Sequence, residues 1–268
     1  MRAGFITERL VSLAMHNNLL LLAYVLYVCY GRRLQFPING LQHNQLTEHS
    51  RNTGVTRLWR ARLQPVLLSF DSPEYWETKY AEEPEKEVEW LLPWEGALAA
   101  AFEQHAGSAQ NLPLLELGCG SSPLCARLHA AGYSDIVATD ISAAAVSAAS
   151  TRHGHLPGLR FERADARALP YSDAAFMTAV DKGTLDAVLC SEAFDWEVPR
   201  VAREISRILQ PGGRWICISL NPPGLVVPLL VQCDDFVVSC VPLPRPSWAQ
   251  VPAGAPPILA AGGLNMYV

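Results

Sequence analysis

The chain has 268 residues, half of them hydrophobic, and a net charge of −5. That is enough for one large α/β domain plus an extension, and it excludes a chain too polar to bury a core. Residues 1–69 hold eight Arg, no Lys and two Glu, whereas the remainder holds thirteen basic and twenty-four acidic side chains, so the body is a poor nucleic-acid binder and suits a basic partner better.

The N-terminal segment opens with an apolar run, Leu19 to Tyr30, followed by Arg32 and Arg33. Twelve residues fall short of the roughly 20 a spanning helix needs, so membrane association is not expected, although the run leaves it open. The Arg-rich, Lys-free composition also fits a mitochondrial transit peptide, and an unstructured leader is a third reading. Residues 38–56 are polar and read as a linker. The expected division is a leader and linker over 1–69 and a folded domain over 70–268. Seven scattered Cys form neither a Cys-x-x-Cys pair nor a zinc-spaced cluster. They point to reduced thiols in an intracellular protein without a metal site. The cytoplasm is the expected compartment, with the mitochondrion as the alternative. Oligomeric state is not legible.

In the body, Asp71-Ser72-Pro73-Glu74 reads as a helix start capped by Asp71. Nine carboxylates against two Lys over residues 71–95 form an acidic rim suited to a basic protein surface. A helix is expected from Leu91 to His105. Alternation then marks strands at Leu112–Leu117, Asp135–Thr139, Leu159–Glu162, Ala175–Val180 and Trp215–Leu220. Helices are expected at Ser122–Ala131, from Ser142 to about Arg152, and at Val198–Leu209. Phe236–Val241 and Gly263–Val268 read as sixth and seventh strands. This alternation predicts a mostly parallel sheet with helices on both faces and strand ends Glu116, Asp140, Asp165 and Asp181 along one edge. Ligands bind at that edge in open α/β sheets.

Gly118-Cys119-Gly120 after the first strand lets the backbone turn sharply and approach a ligand. Nicotinamide enzymes use a similar turn, but here Pro123 stands where their third glycine would be. Glu116 would repel a pyrophosphate and can attract an ammonium. Asp140, twenty residues after Gly120, can accept both ribose hydroxyls of a nucleoside. Asp165 can accept from an adenine amino group while the Ala166 amide donates to a ring nitrogen.

Asp181-Lys182-Gly183-Thr184-Leu185-Asp186-Ala187 resembles the signature of a methyltransferase-like subfamily that includes the elongation factor 1-alpha and citrate synthase lysine methyltransferases. Tyr75-Trp76, Glu89-Trp90, Gly118 to Ser122, Gly132 to Val137 and Gly212 to Leu220 agree with it. The resemblance covers about residues 70–220 and implies a Rossmann-like, seven-stranded methyltransferase fold with an antiparallel final strand. It implies S-adenosyl-L-methionine as cofactor and methyl transfer to protein, most often to lysine. Gly118 and Gly120 would then line the methionine part, Asp140 would hold the ribose and Asp165 with Ala166 the adenine, and Ile141 would join these cofactor-binding residues. Asp181 would face the methionine end and orient the acceptor nitrogen. Lys182 would neutralise a carboxylate or touch substrate, and Thr184 and Asp186 would cap the next helix. The competing readings are methylation of a protein N-terminus or a small molecule, and a scaffold that has lost activity.

Overall fold

The computed structural model describes residues 70–106, 110–244 and 264–268. The leader and linker expected over 1–69, with the apolar run 19–30, lie outside the described residues. Among the described residues no helix is long and apolar enough to cross a membrane.

The first helix, α1, spans Pro73–Glu82 and is capped by Ser72 rather than Asp71. The Ser72 hydroxyl accepts from the Tyr75 amide at 3.3 Å and donates to Glu74 at 2.6 Å. Pro73 explains the shift: proline suits the first helical position, which makes its predecessor the cap. Helix α2, Ala97–Ala106, starts six residues later than expected. Leu91 sits at φ 66°, and Pro93 disfavours a helical residue before it.

From there strands and helices alternate. They are β1 (Leu114–Leu117), α3 (Leu124–Ala130), β2 (Ile136–Asp140), α4 (Ala143–His153), β3 (Leu159–Arg163), β4 (Phe176–Lys182), α5 (Thr184–Val188), α6 (Phe194–Ile208) and β5 (Leu209–Ser219). Helix α7 (Pro223–Leu230) and strands β6 (Cys240–Leu243) and β7 (Leu264–Tyr267) complete the described elements. The seven strands order as β3-β2-β1-β4-β5-β7-β6. Strands β1 to β5 pair in parallel, and β7 lies antiparallel between β5 and β6. This is the mostly parallel seven-stranded sheet with an antiparallel final strand that the resemblance implies. Strand β1 is buried along its whole length, and so is β2. Such continuous burial is what helices on both faces produce, and each fully buried Leu or Ile contributes about 1.5–3 kcal/mol.

The sixth strand is displaced from the expected Phe236–Val241. The Phe236 amide donates to the Cys233 carbonyl in a turn, and its ring leans on Trp215 at 5.9 Å. Pairing begins only at Cys240 and includes Pro242, which is tolerated because β6 is the sheet edge.

The order of strands reverses between β1 and β4. Right-handed crossovers therefore send the helices following β1 and β2 to one face and the helix following β4 to the other, opening a crevice at the C-terminal ends of β1 and β4.

Candidate active site

Strand β1 runs into Gly118 at φ 64° and Gly120 at φ 51°. A Cβ on Gly118 would sit 2.1 Å from Thr184 Oγ1, and one on Gly120 would sit 2.5 Å from the Tyr80 phenol oxygen. Backbone conformation and space thus both demand glycine here. The turn is tied to β2 by Asp140, whose Oδ2 accepts from the Gly120 amide at 2.8 Å and whose Oδ1 accepts from the Ser142 amide at 2.9 Å. Ser142 caps α4 as expected, its hydroxyl accepting from the Ala145 amide at 3.1 Å. Burial pushes the Asp140 pKa up to about 6, against the hydrogen bonds from Ser142 and Gly120 that lower it.

Glu116 is 2% exposed, and its Oε2 has no hydrogen-bond partner. Burial raises its pKa to about 8; Lys182 opposes the rise, while Glu89 and Asp140 add to it. Lys182 comes from the end of β4. Its ammonium donates to both Glu89 oxygens at 3.2 Å and to the Leu92 carbonyl at 3.3 Å. The ion pair neutralises a carboxylate, one of the two roles open to this lysine from sequence. Glu89 also accepts from the Ser122 hydroxyl at 2.9 Å, and the Val88 amide donates to the Ser121 carbonyl at 3.2 Å. The 88–92 segment is thereby stitched across the glycine turn.

The structure gathers Glu116, Gly118, Gly120 and Asp140 into one cradle. Ile141 follows directly, its carbonyl accepting from Arg163 Nε at 2.9 Å. Asp165 stands farther along the same edge, beyond β3, with Ala166 in the turn closed by the Asp165–Ala168 bridge. Its carboxylate, read from sequence as an adenine acceptor, is held by the Arg167 side chain at 2.9–3.1 Å and by the Arg167 amide at 2.9 Å. Burial raises the Asp165 pKa, but the Arg167 bonds and charge together hold it below the usual value.

Asp181 is 1% exposed and is engaged on both oxygens. Oδ1 accepts from the Leu185 amide at 3.1 Å, and Oδ2 accepts from the Trp215 indole at 2.8 Å. It fixes the β4–α5 turn around Gly183, at φ 89°. Burial lifts its pKa to about 6. Thr184 and Asp186, expected as caps, do other work. Thr184 Oγ1 donates to the Leu117 carbonyl at 2.8 Å. Asp186, fully inside, accepts from the Ser219 hydroxyl, from Asn221 Nδ2 at 2.8 Å and from the Leu220 amide at 3.1 Å. Because α5 begins at Thr184, both residues already lie within its first turn and face the neighbouring strands.

Tyr80 borders the cradle at Gly120, backed by Trp76 and Trp90, and none of the three was assigned to it from sequence. Trp76 stacks on Tyr80 at 5.7 Å and meets Trp90 edge-on at 6.1 Å. Tyr80 lies against Gly120, is bonded to Trp90 and feels the Asp140 charge. The signal available in the sequence was the aromatic density of Tyr75, Trp76, Tyr80 and Trp90, which exceeds what one short helix needs to pack.

Residues 115–217 match the family described as "Methyltransferase domain". Among curated relatives, the mouse "eEF1A lysine and N-terminal methyltransferase" is 36% identical over 154 residues, covering 56% of this chain and 22% of that protein. The mouse "EEF1A lysine methyltransferase 4" is 33% identical over 159 residues, covering 56% of this chain and 61% of that protein. The chain thus spans about a fifth of the first relative and about three-fifths of the second. A solved S-adenosylmethionine-dependent methyltransferase from Mesorhizobium loti aligns over 65% of this chain and 97% of that one, with TM-score 0.48 and 17% identity.

S-adenosylmethionine suits the cradle on the cradle's own chemistry. The unpartnered, buried Oε2 of Glu116 is an acceptor waiting for a cation, and the cofactor carries an ammonium. Each Asp140 oxygen keeps a lone pair for a ribose hydroxyl beyond the amide it already accepts.

Proposed function

We propose that this chain is an S-adenosylmethionine-dependent methyltransferase acting on a lysine side chain of a protein. The buried, unpartnered Glu116 carboxylate beside the Gly118–Gly120 turn carries the cofactor half of this reading. The Asp181–Ala187 motif and the lysine-methylating relatives support the substrate half. The cofactor supplies an activated methyl group on a sulfonium. Glu116 would hold its ammonium and Asp140 its ribose, with the Trp76–Tyr80–Trp90 cluster excluding water from the turn. An acceptor lysine has to lose a proton: at its free pKa of about 10.4 only roughly 0.04% is neutral at pH 7, a cost of about 4.6 kcal/mol. Desolvation of the acceptor ammonium beside the sulfonium favours its deprotonation, with the proton released to solvent. The exposed acidic stretch at residues 81–87 suits a basic protein surface. The scattered cysteines support a cytoplasmic location.

The first relative's name also includes N-terminal methylation, which makes a protein α-amine the second candidate acceptor. Calorimetry with S-adenosylmethionine tests the cofactor reading. Saturable binding in the micromolar range is expected, and no heat at high micromolar cofactor would overturn it.

A further inference from the structure

Lys182 is buried beside the cradle that holds Glu116, and the strand register relates the two residues. Glu116 pairs with Val180 across the parallel β1–β4 ladder. Paired residues share a face, and the second residue along a strand returns to it, so Lys182 projects from the same face as Glu116. One strand spacing of about 4.8 Å and two residues of rise, about 6.6 Å, separate their backbones. The Lys182 side chain is 3% exposed. Its three hydrogen-bond directions go to the two Glu89 oxygens and the Leu92 carbonyl. Lys182 therefore gives Glu116 its charge while taking none of the acceptor capacity of Oε2.

We propose that Lys182 is a positioning residue that favours the ionised form of the Glu116 carboxylate for a ligand ammonium, acting through space without a hydrogen bond to it. The inference rests on the cofactor reading above. The groups around Glu116 make the balance explicit. Glu89 from the segment before α2 and Asp140 from β2 disfavour its charge, and Lys182 from β4 favours it. The Cys119 and Cys125 thiols complete the set and are themselves pushed up by burial, hence neutral. Lys182 also faces Glu89 and Glu95; burial pulls its pKa down, and these carboxylates together with Glu116 oppose that pull. With its pKa raised to about 8, Glu116 is mostly protonated at pH 7 in the absence of ligand. Loss of Lys182 makes the ionised fraction smaller still.

The test compares two ligands by calorimetry between pH 6 and 8.5. S-adenosylhomocysteine carries the ammonium; 5′-methylthioadenosine carries the same nucleoside and a sulfur but no amino-acid part. Lys182→Met is expected to weaken S-adenosylhomocysteine about tenfold at pH 7, with recovery as pH rises, and to leave methylthioadenosine unchanged. Lys182→Arg is expected to restore the wild-type profile. Should Lys182→Met fail to fold, Glu89→Gln gives the opposite sign: without the Glu89 charge, the pH at which S-adenosylhomocysteine affinity rises shifts downward. Equal weakening of both ligands, no change in either, or an upward shift in Glu89→Gln overturns the proposal. Failure of the wild-type protein to bind either ligand overturns the cofactor reading and this proposal with it; wild-type binding with no ligand-selective change overturns the proposal alone.

Discussion

Asp140 holds the Gly120 amide at 2.8 Å across twenty residues of chain, and this bond locks the ligand turn of β1 to the end of β2. The same carboxylate takes the Ser142 amide that opens α4. One side chain thus sets the turn, the helix start and the two acceptor sites offered to a ribose.

Asp140→Ala removes all of these at once. Two charge-assisted ribose bonds are worth about 3 kcal/mol or more, so cofactor affinity is expected to fall at least about a hundredfold by calorimetry. The Gly120 and Ser142 amides lose their partners as well, at about 1–3 kcal/mol each, and the melting temperature should drop. Unchanged affinity in a folded variant contradicts the ribose assignment.

Stability should depend on pH in an unusual direction. Glu116, Asp140 and Asp181 have pKa values of about 8, 6 and 6, against 4.5, 3.8 and 3.8 for the free side chains. Their folded forms hold protons that the unfolded chain has released. The resulting penalty is absent below the unfolded values and grows as pH rises through the folded ones. Thermal melting without ligand is expected to be higher at pH 5.5 than at pH 7.5 by about 3 °C or more. Glu116→Gln mimics the neutral form and should flatten the profile while weakening cofactor binding. A melting temperature that rises over this interval contradicts the account.

Gly118→Ala places a Cβ where Thr184 Oγ1 now sits, in a left-handed backbone. Thr184 cannot move away without losing its bond to the Leu117 carbonyl. The substitution is expected to cost about 1–3 kcal/mol of stability and to abolish cofactor binding. Denaturant titration and calorimetry check the two effects, and wild-type values in both would show that the turn tolerates a side chain.

The parts of the site legible in the sequence are those tied to regular structure. Glu116, the Gly118–Gly120 turn and Asp140 follow strands whose apolar runs are unambiguous, and their chemistry follows from where strands end. The rest depends on contacts that local patterns do not encode. Glu89 reaches Lys182 across 93 residues, and Tyr80 arrives from a helix forty residues upstream of the Gly120 it lies against. Asp165 looked free because its captor, Arg167, is an ordinary exposed arginine until the turn folds back. Asp186 looked like a cap because its partners Ser219 to Asn221 lie a whole crossover later.

Asp186 is accordingly a structural anchor whose loss should be felt in folding. Asp186→Asn turns one of its acceptor oxygens into a donor facing donors, in a fully buried network. It is expected to cost about 3 kcal/mol, or roughly 6–12 °C in melting temperature. A shift under 2 °C would mean the network carries little of the β5–α7 connection.

The central claim is methyl transfer from the cradled cofactor to a protein lysine. The most direct measurement incubates the protein with radiolabelled S-adenosylmethionine and a cell extract, then identifies the labelled species by mass spectrometry. The account expects a labelled protein band methylated on a lysine side chain, absent with Asp140→Ala. Label recovered only on small molecules, or equal labelling with the variant, would contradict it.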